Sequence, residues 1–435
     1  MASALTPLSP NLGALLALQF IAGLGSGTFV PLAIGFVMRS LKPAWQVFGL
    51  AAYAMSLELS QNLPASLEGF YVDHWGWQWI YWQHLFLVPP LLVLVILGMP
   101  RDPPNRDQIS RVDAPGLAYL GIGASLAYTA LDQGDRLDWF GSGLVVALAA
   151  GAAFLLVMFV VRELTAERPF FDFHFASSST MLALAFILAL YRFQTLATAF
   201  IIPQFLTQVQ GYRALDVGDA LLWVAAPQFL LAPLVGLVLQ RLDARGVMAI
   251  GFTAIAGACL MVANGLTHEW ISADFIPSQL LQATGQCLGF TAFLFYVTRH
   301  IVPSQVLTFG VFIHTFRLLG GEMGTSLMTW FIRMREQTHS NLLGLHVTAG
   351  GSGVQDHLAA VAGGLAAQSP GNAAMRAVAL LAQSVQKQAY VLAFIDAMTV
   401  VAGAAALCLV LVATLKFTSC AIPPASTATG MTARP

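Results

Sequence analysis

Residues 247–266 read VMAIGFTAIAGACLMVANGL, twenty consecutive positions without a charged side chain. A helix of that length rises about 30 Å, the thickness of a bilayer's hydrocarbon core. Such a helix satisfies every peptide group within its own segment, as lipid requires. Largely apolar runs of the same kind recur near 12–38, 45–70, 78–98, 114–131, 141–161, 179–208, 217–239, 274–298, 305–332 and 389–415. The pattern predicts an all-α membrane protein, a helical bundle of about eleven transmembrane helices.

Composition agrees with bilayer as the solvent. Soluble domains carry about 25% charged residues, whereas this chain carries 9%, with 57% hydrophobic residues. Its mean hydropathy is +0.73. A net charge of −1 leaves no basic footprint for nucleic acid. Cys259, Cys287 and Cys408 lie in apolar runs, and no Cys/His spacing suggests a metal site. No Ser/His/Asp constellation suggests catalysis, so neither an enzyme nor a cofactor is expected. The first span is too long and too Gly-rich for a secretory signal.

Orientation follows from Lys and Arg in short loops. Alternate loops hold Arg39, Lys42, Arg101, Arg106, Arg111, Arg162, Arg168, Arg241, Arg245 and Arg299, against only Arg136 and Arg213 on the other side. The richer side is predicted to be cytoplasmic, with the N-terminus outside and the C-terminus inside. Arg333 and Arg335 sit on the wrong side of that rule. Trp75, Trp77, Trp79, Tyr81 and Trp82 form an aromatic belt at the outer interface. Residues 99–113 read as a Pro-rich cytoplasmic linker. Residues 336–388 read as a long outer loop, with amphipathic pieces near 355–367 and 372–387 forming a hairpin.

Ionisable groups inside spans cost about 2.5–3.5 kcal/mol on insertion scales, so each is a functional candidate. Glu58 is the sharpest, mid-span beside Ser56, Ser60, Gln61 and Asn62. It could carry a proton or hold substrate, or simply pair with a basic residue of a neighbouring helix. Glu68 lies nearer the outer end of the same span. Arg192, beside Gln194, must face a cavity or a carboxylate. Arg317 and Glu322 lie about 140° apart around one helix and so need separate partners. Asp396, His84 and His314 are weaker candidates for pairing or titration. Gly320, Gly321 and Gly324 offer a small face for close helix approach, as do Gly23, Gly25 and Gly27. No strand precedes the latter and no Lys-Ser/Thr follows, so they do not form a nucleotide loop. Phe229, Phe290, Phe293 and Met323 are among the side chains that could line an adaptable hydrophobic cavity.

Ordered motifs carry a resemblance along almost the whole chain. These are Gly23–Gly27 with Pro31, Val72-Asp73-His74-Trp75 through Ile80, Leu137-Asp138-Trp139-Phe140, Pro203 with Gln208, Gly211 and Tyr212, Arg317 through Gly324, and Gln386 through Asp396. In this order they resemble the major facilitator superfamily, specifically its fourteen-helix drug:proton antiporters of the EmrB/QacA type. The first match is to that family's fourth helix, so the chain is expected to lack the first three helices, their gating loop and their acidic motif. The resemblance implies a partial N-terminal bundle of three spans over 1–98. A linker and two extra central spans would follow over 99–177, then a C-terminal six-helix bundle over 178–435 with the outer loop 336–388. The family's inner-loop motif resembles Gly236, Arg241, Asp243 and Arg245, with Gln240 where Asp is common. Implied function is proton-coupled efflux of hydrophobic, drug-like or aromatic small molecules across the bacterial inner membrane, with a periplasmic adaptor protein and an outer-membrane channel as partners. The alternative is a truncated or non-transporting membrane protein, a scaffold or sensor that keeps the fold.

Overall fold

Apolar runs become helices here, and proline and serine set their starts. Pro43 and Pro64 open two of them at first-turn positions, where a missing N–H is harmless. Ser178 caps another, its hydroxyl accepting from the Met181 amide at 3.4 Å. The computed structural model describes residues 2–416 apart from 28, 99–112, 167–170, 172, 214, 301–305, 348–350 and 367–371. Among the described residues there is no β-strand.

Helices of eight residues or more are α1 (Leu12–Gly27), α2 (Phe29–Ser40), α3 (Pro43–Asn62), α4 (Pro64–His74), α5 (Trp79–Gly98), α6 (Ala114–Gly134), α7 (Gly143–Thr165) and α8 (Ser179–Gln208). The series continues with α9 (Gly218–Ala225), α10 (Gln228–Leu239), α11 (Ala244–Gly265), α12 (Ile276–His300), α13 (Val306–Gly344), α14 (Ser352–Ala366) and α15 (Ala373–Thr414). Each of the eleven expected runs is mostly helical over its described residues. Nine described segments are long and apolar enough to cross a membrane. The expected runs 45–70 and 305–332 are not among those nine. The first breaks at Leu63–Pro64 into α3 and α4, and α3 carries Glu58 among polar neighbours. The second is α13, which carries Arg317 and Glu322. Helices α3 and α13 are each long enough to cross a membrane and are kept less apolar by the polar groups they carry.

Helices α8, α11, α12, α13 and α15 pack on one another as the main bundle. Backbones approach closely where glycine removes the Cβ. A Cβ at Gly320 would stand 2.6 Å from Ala189 Cα, and one at Gly324 would run into the Phe193 carbonyl. Helix α3 docks on this bundle against α10 and α12, and Gly236 makes room for the Phe48 ring there. Helix α5, by contrast, buries none of its residues. Among the described residues, no other helix makes the close approach expected at Gly23, Gly25 and Gly27. No described atom lies within 4 Å of a Cβ built at any of the three. Glycine spacing permits a neighbour but does not supply one.

Segment 99–113 falls outside the described residues except for Asp113, which accepts from Arg162 at 3.1 Å and ties α6 to α7. Segment 336–388 is largely helical: α13 and α15 run on past membrane length and α14 packs on α15. Asp396 Oδ2 joins the two long helices by accepting from Arg335 Nε at 2.6 Å and facing His339 Nε2 at 2.8 Å. These groups are part-exposed, so the pair contributes at most about 1 kcal/mol. Asp396→Asn is therefore expected to speed hydrogen exchange in 336–344 and 373–395 without moving the global melting temperature.

Candidate functional site

The centre of the molecule is polar where α3 meets the main bundle. Glu58 is buried on α3, and its Oε1 accepts a hydrogen bond from the Tyr191 hydroxyl of α8 at 2.6 Å. Its Oε2 is also buried and has no hydrogen-bond partner. Arg192 and Arg317 lie close enough to act on it electrostatically. Among the described residues, neither comes within the 4 Å of an ion pair. Arg192 Nε, Arg317 Nε and His314 Nδ1 have no partner either. Tyr53, on α3, completes the group beside both arginines. The structure thus gathers Glu58, Arg192, Arg317 and His314 from three helices, with charges near one another but not locked together.

Sequence reasoning missed Tyr191. Its ring stacks on Phe290 at 5.1 Å between centroids and 3° between planes, so it reads as one more aromatic of an apolar run. The one available signal was position: Tyr191 precedes Arg192 on a helix bound to face a cavity. Tyr191→Phe keeps the stacking and removes only the donor, which for a bond to a charged group is worth about 1.5–3 kcal/mol. Its expected signature is an infrared one. The Glu58 carboxyl-group band, identified by its loss in Glu58→Gln, shifts in frequency.

The other candidates lie elsewhere. Glu322 is buried on α13, accepts from Ser326 at 2.9 Å and meets Tyr128 of α6. Glu68 is exposed. His84 is exposed too, its Nδ1 lying 2.9 Å from the Tyr81 carbonyl. Asp243 immediately precedes α11 without capping it, and its Oδ1 and Arg245 Nε lack partners. Phe290 and Phe293 are buried near the centre, as a cavity wall requires. Phe229 and Met323 are exposed on the bundle's outside instead. Helical phase, not residue type, decides which aromatics point inward. Among the described residues no three His, Cys, Asp or Glu side chains are grouped to hold a metal ion. Outside the bundle, Arg213 binds Asp216 through two hydrogen bonds, which hold the Asp216 carboxyl below its ordinary range.

A buried carboxylate with one buried and one half-buried arginine, where an N-terminal helix meets the main bundle, suits a transporter better than a channel wall or an enzyme. The sequence profile of the Major Facilitator Superfamily matches residues 1–325. The chain belongs to this superfamily. Among curated superfamily relatives, the Probable multidrug resistance protein EmrY of Escherichia coli (strain K12) is 27% identical over 357 residues, covering 79% of this chain and 67% of the relative. Multidrug export protein EmrB of the same strain is 27% identical over 343 residues, 76% of this chain and 64% of that protein. Fatty acid resistance protein FarB of Neisseria gonorrhoeae is 25% identical over 351 residues, 80% of this chain and 68% of that protein. The matches thus span about two thirds of the relatives' length. As a major facilitator, this chain is an integral membrane protein of transporter type and not an enzyme.

Proposed function

We propose that this protein exports amphipathic or aromatic small molecules across the bacterial cytoplasmic membrane, driven by inward proton flow, with its C-terminus in the cytoplasm. The observation that carries this reading is Glu58. Burying a carboxylate charge without a paired cation is costly, and taking up a proton removes the charge. One of its oxygens is held by Tyr191 while the other is unengaged. Two nearby arginines supply the field that a bound anion or a proton would change. The site lies between the two parts of the chain, where rocking of one against the other gives alternating access. The names of EmrB and FarB support drug-like and fatty-acid cargoes.

The test uses lipid vesicles containing the full chain, an imposed pH gradient and an internal pH dye. Amphipathic aromatic cations and a medium-chain fatty acid are added in turn. Proton movement that depends on an added compound is expected for the wild type. Flux indistinguishable from protein-free vesicles would favour a second reading, a non-transporting membrane protein. The weak packing of α1, α2 and α5 on the main bundle is the observation on that side. A periplasmic adaptor and an outer-membrane channel complete the proposed assembly, with 336–388 as the docking surface. Deleting α14 is expected to abolish capture of the adaptor while leaving flux in vesicles intact.

A further inference from the structure

Helix α12 carries a stripe of buried amides that the site above does not use. Gln279, Gln282 and Gln286 follow one another at i, i+3 and i+7, a single helix face about 10 Å long. All three are at most 3% exposed. Gln282 donates to the Thr198 hydroxyl of α8 at 3.1 Å, yet its Oε1 has no partner. Gln279 Nε2 and Gln286 Oε1 have none either. On α10, fully buried Gln228 donates to the Ala283 carbonyl of α12 at 3.2 Å, and its own Oε1 is unpartnered. Unmatched buried polar atoms are rare, because each costs about 1–3 kcal/mol. Three such atoms lie along one face of α12, and a fourth belongs to the α10 glutamine that donates to that helix.

The seam also has room. A small cavity of about 10 Å³, the space of one water, lies among Thr198, Ser278, Gln279, Gln282, Cys259 and Met398. A water there has the two to four polar partners it needs. At its other end the stripe reaches the central site. Cys287, next to Gln286, lies within electrostatic range of Glu58. Phe290, one turn further, stacks on the tyrosine that holds Glu58.

We propose that Gln279, Gln282 and Gln286 of α12, with Thr198 of α8 and Gln228 of α10 beside them, bind a line of water that starts in this cavity at the α11–α12 end of the bundle and leads to Glu58. In the orientation proposed above, that end is the outer one. A proton arriving on a seam water passes to a Glu58 oxygen and leaves the water neutral. Only this last step rests on the proton-driven reading; the hydration does not. Amides suit the task because they order water without adding charge to the membrane interior.

Radiolytic labelling of the full-length protein in lipid discs reads the water directly. Hydroxyl radicals form at bound water and oxidise the nearest Met and Cys. Met398 and Cys259 line the cavity and are as buried as Met248, which does not. They are expected to oxidise several-fold faster than Met248, and the Gln279→Leu/Gln282→Leu variant is expected to lose that excess. Labelling of wild-type Met398 and Cys259 no faster than Met248 overturns the proposal without any variant. The substitutions leave packing volume nearly unchanged and remove one hydrogen bond, from Gln282 to Thr198, along with two unmatched polar atoms, so a nearly unaltered melting temperature is the expected control. If the variant loses labelling but keeps wild-type proton movement in vesicles, the route to Glu58 is overturned. Failure of the wild type to move protons at all counts against the export reading and leaves the labelling result standing.

Discussion

Glu58→Gln is expected to reduce compound-dependent proton movement to the level of protein-free vesicles, while the protein still reaches the membrane and melts at or above the wild-type temperature. The two halves of that expectation have separate causes. Glutamine keeps an acceptor at the position of Oε1, so the Tyr191 hydroxyl retains its 2.6 Å bond. It also removes a charge that no cation pairs within the bundle, which is neutral or stabilising for the fold. What it cannot do is gain and lose a proton. A Glu58→Leu variant separates the terms further, because it strands the Tyr191 hydroxyl and costs about 1–3 kcal/mol. If Glu58→Gln moves protons as the wild type does, Glu58 is not the coupling group.

Gly324→Ala and Gly320→Ala are expected to cause large losses of stability. Each adds one methyl, but the methyl meets backbone and not a side chain that can turn away. At Gly320 it would stand 2.6 Å from Ala189 Cα, and at Gly324 it would overlap the Phe193 carbonyl. Helices α8 and α13 would have to part along the contact. Overpacking of this kind costs about 1–3 kcal/mol per site, and the double variant is expected not to survive detergent extraction. Gly403 on α15 is the control, since nothing lies within 4 Å of a Cβ there. Alanine at that position is expected to be neutral or to stabilise by up to about 1 kcal/mol through helix propensity. Thermal unfolding of the purified variants by intrinsic fluorescence ranks the three.

The spans were legible because lipid imposes one rule on every peptide group, and runs such as 247–266 display it plainly. Glu58, Arg192, Arg317 and Glu322 were legible because a charged side chain in such a run is an exception that needs a reason. The amides of α12 were not, since Gln279, Gln282 and Gln286 carry no charge and space themselves as any helix face does. Their meaning lies in which atoms lack partners, and only the packed bundle shows that. Gly23, Gly25 and Gly27 erred the other way. The spacing of small residues announces that a helix can come close without saying that one does. The lengths of α13 and α15 were hidden for a different reason. Beyond the bilayer the apolar signal fades, and a helix continuing into water reads like a polar loop.

Those lengths have a practical consequence. At 1.5 Å per residue, α15 is about 63 Å long and α13 about 59 Å, while the full bilayer is about 40–45 Å thick. Roughly 15–20 Å of each helix must therefore stand clear of the lipid, beyond the level at which Asp396 and its two partners join them. Membrane proteins of this size often lack any landmark outside their detergent belt, which defeats particle alignment in electron microscopy. This one carries its own mast. An antibody fragment raised against the protruding ends of α13 and α15 would be held stiffly to the bundle, and would fix both orientation and handedness in the images.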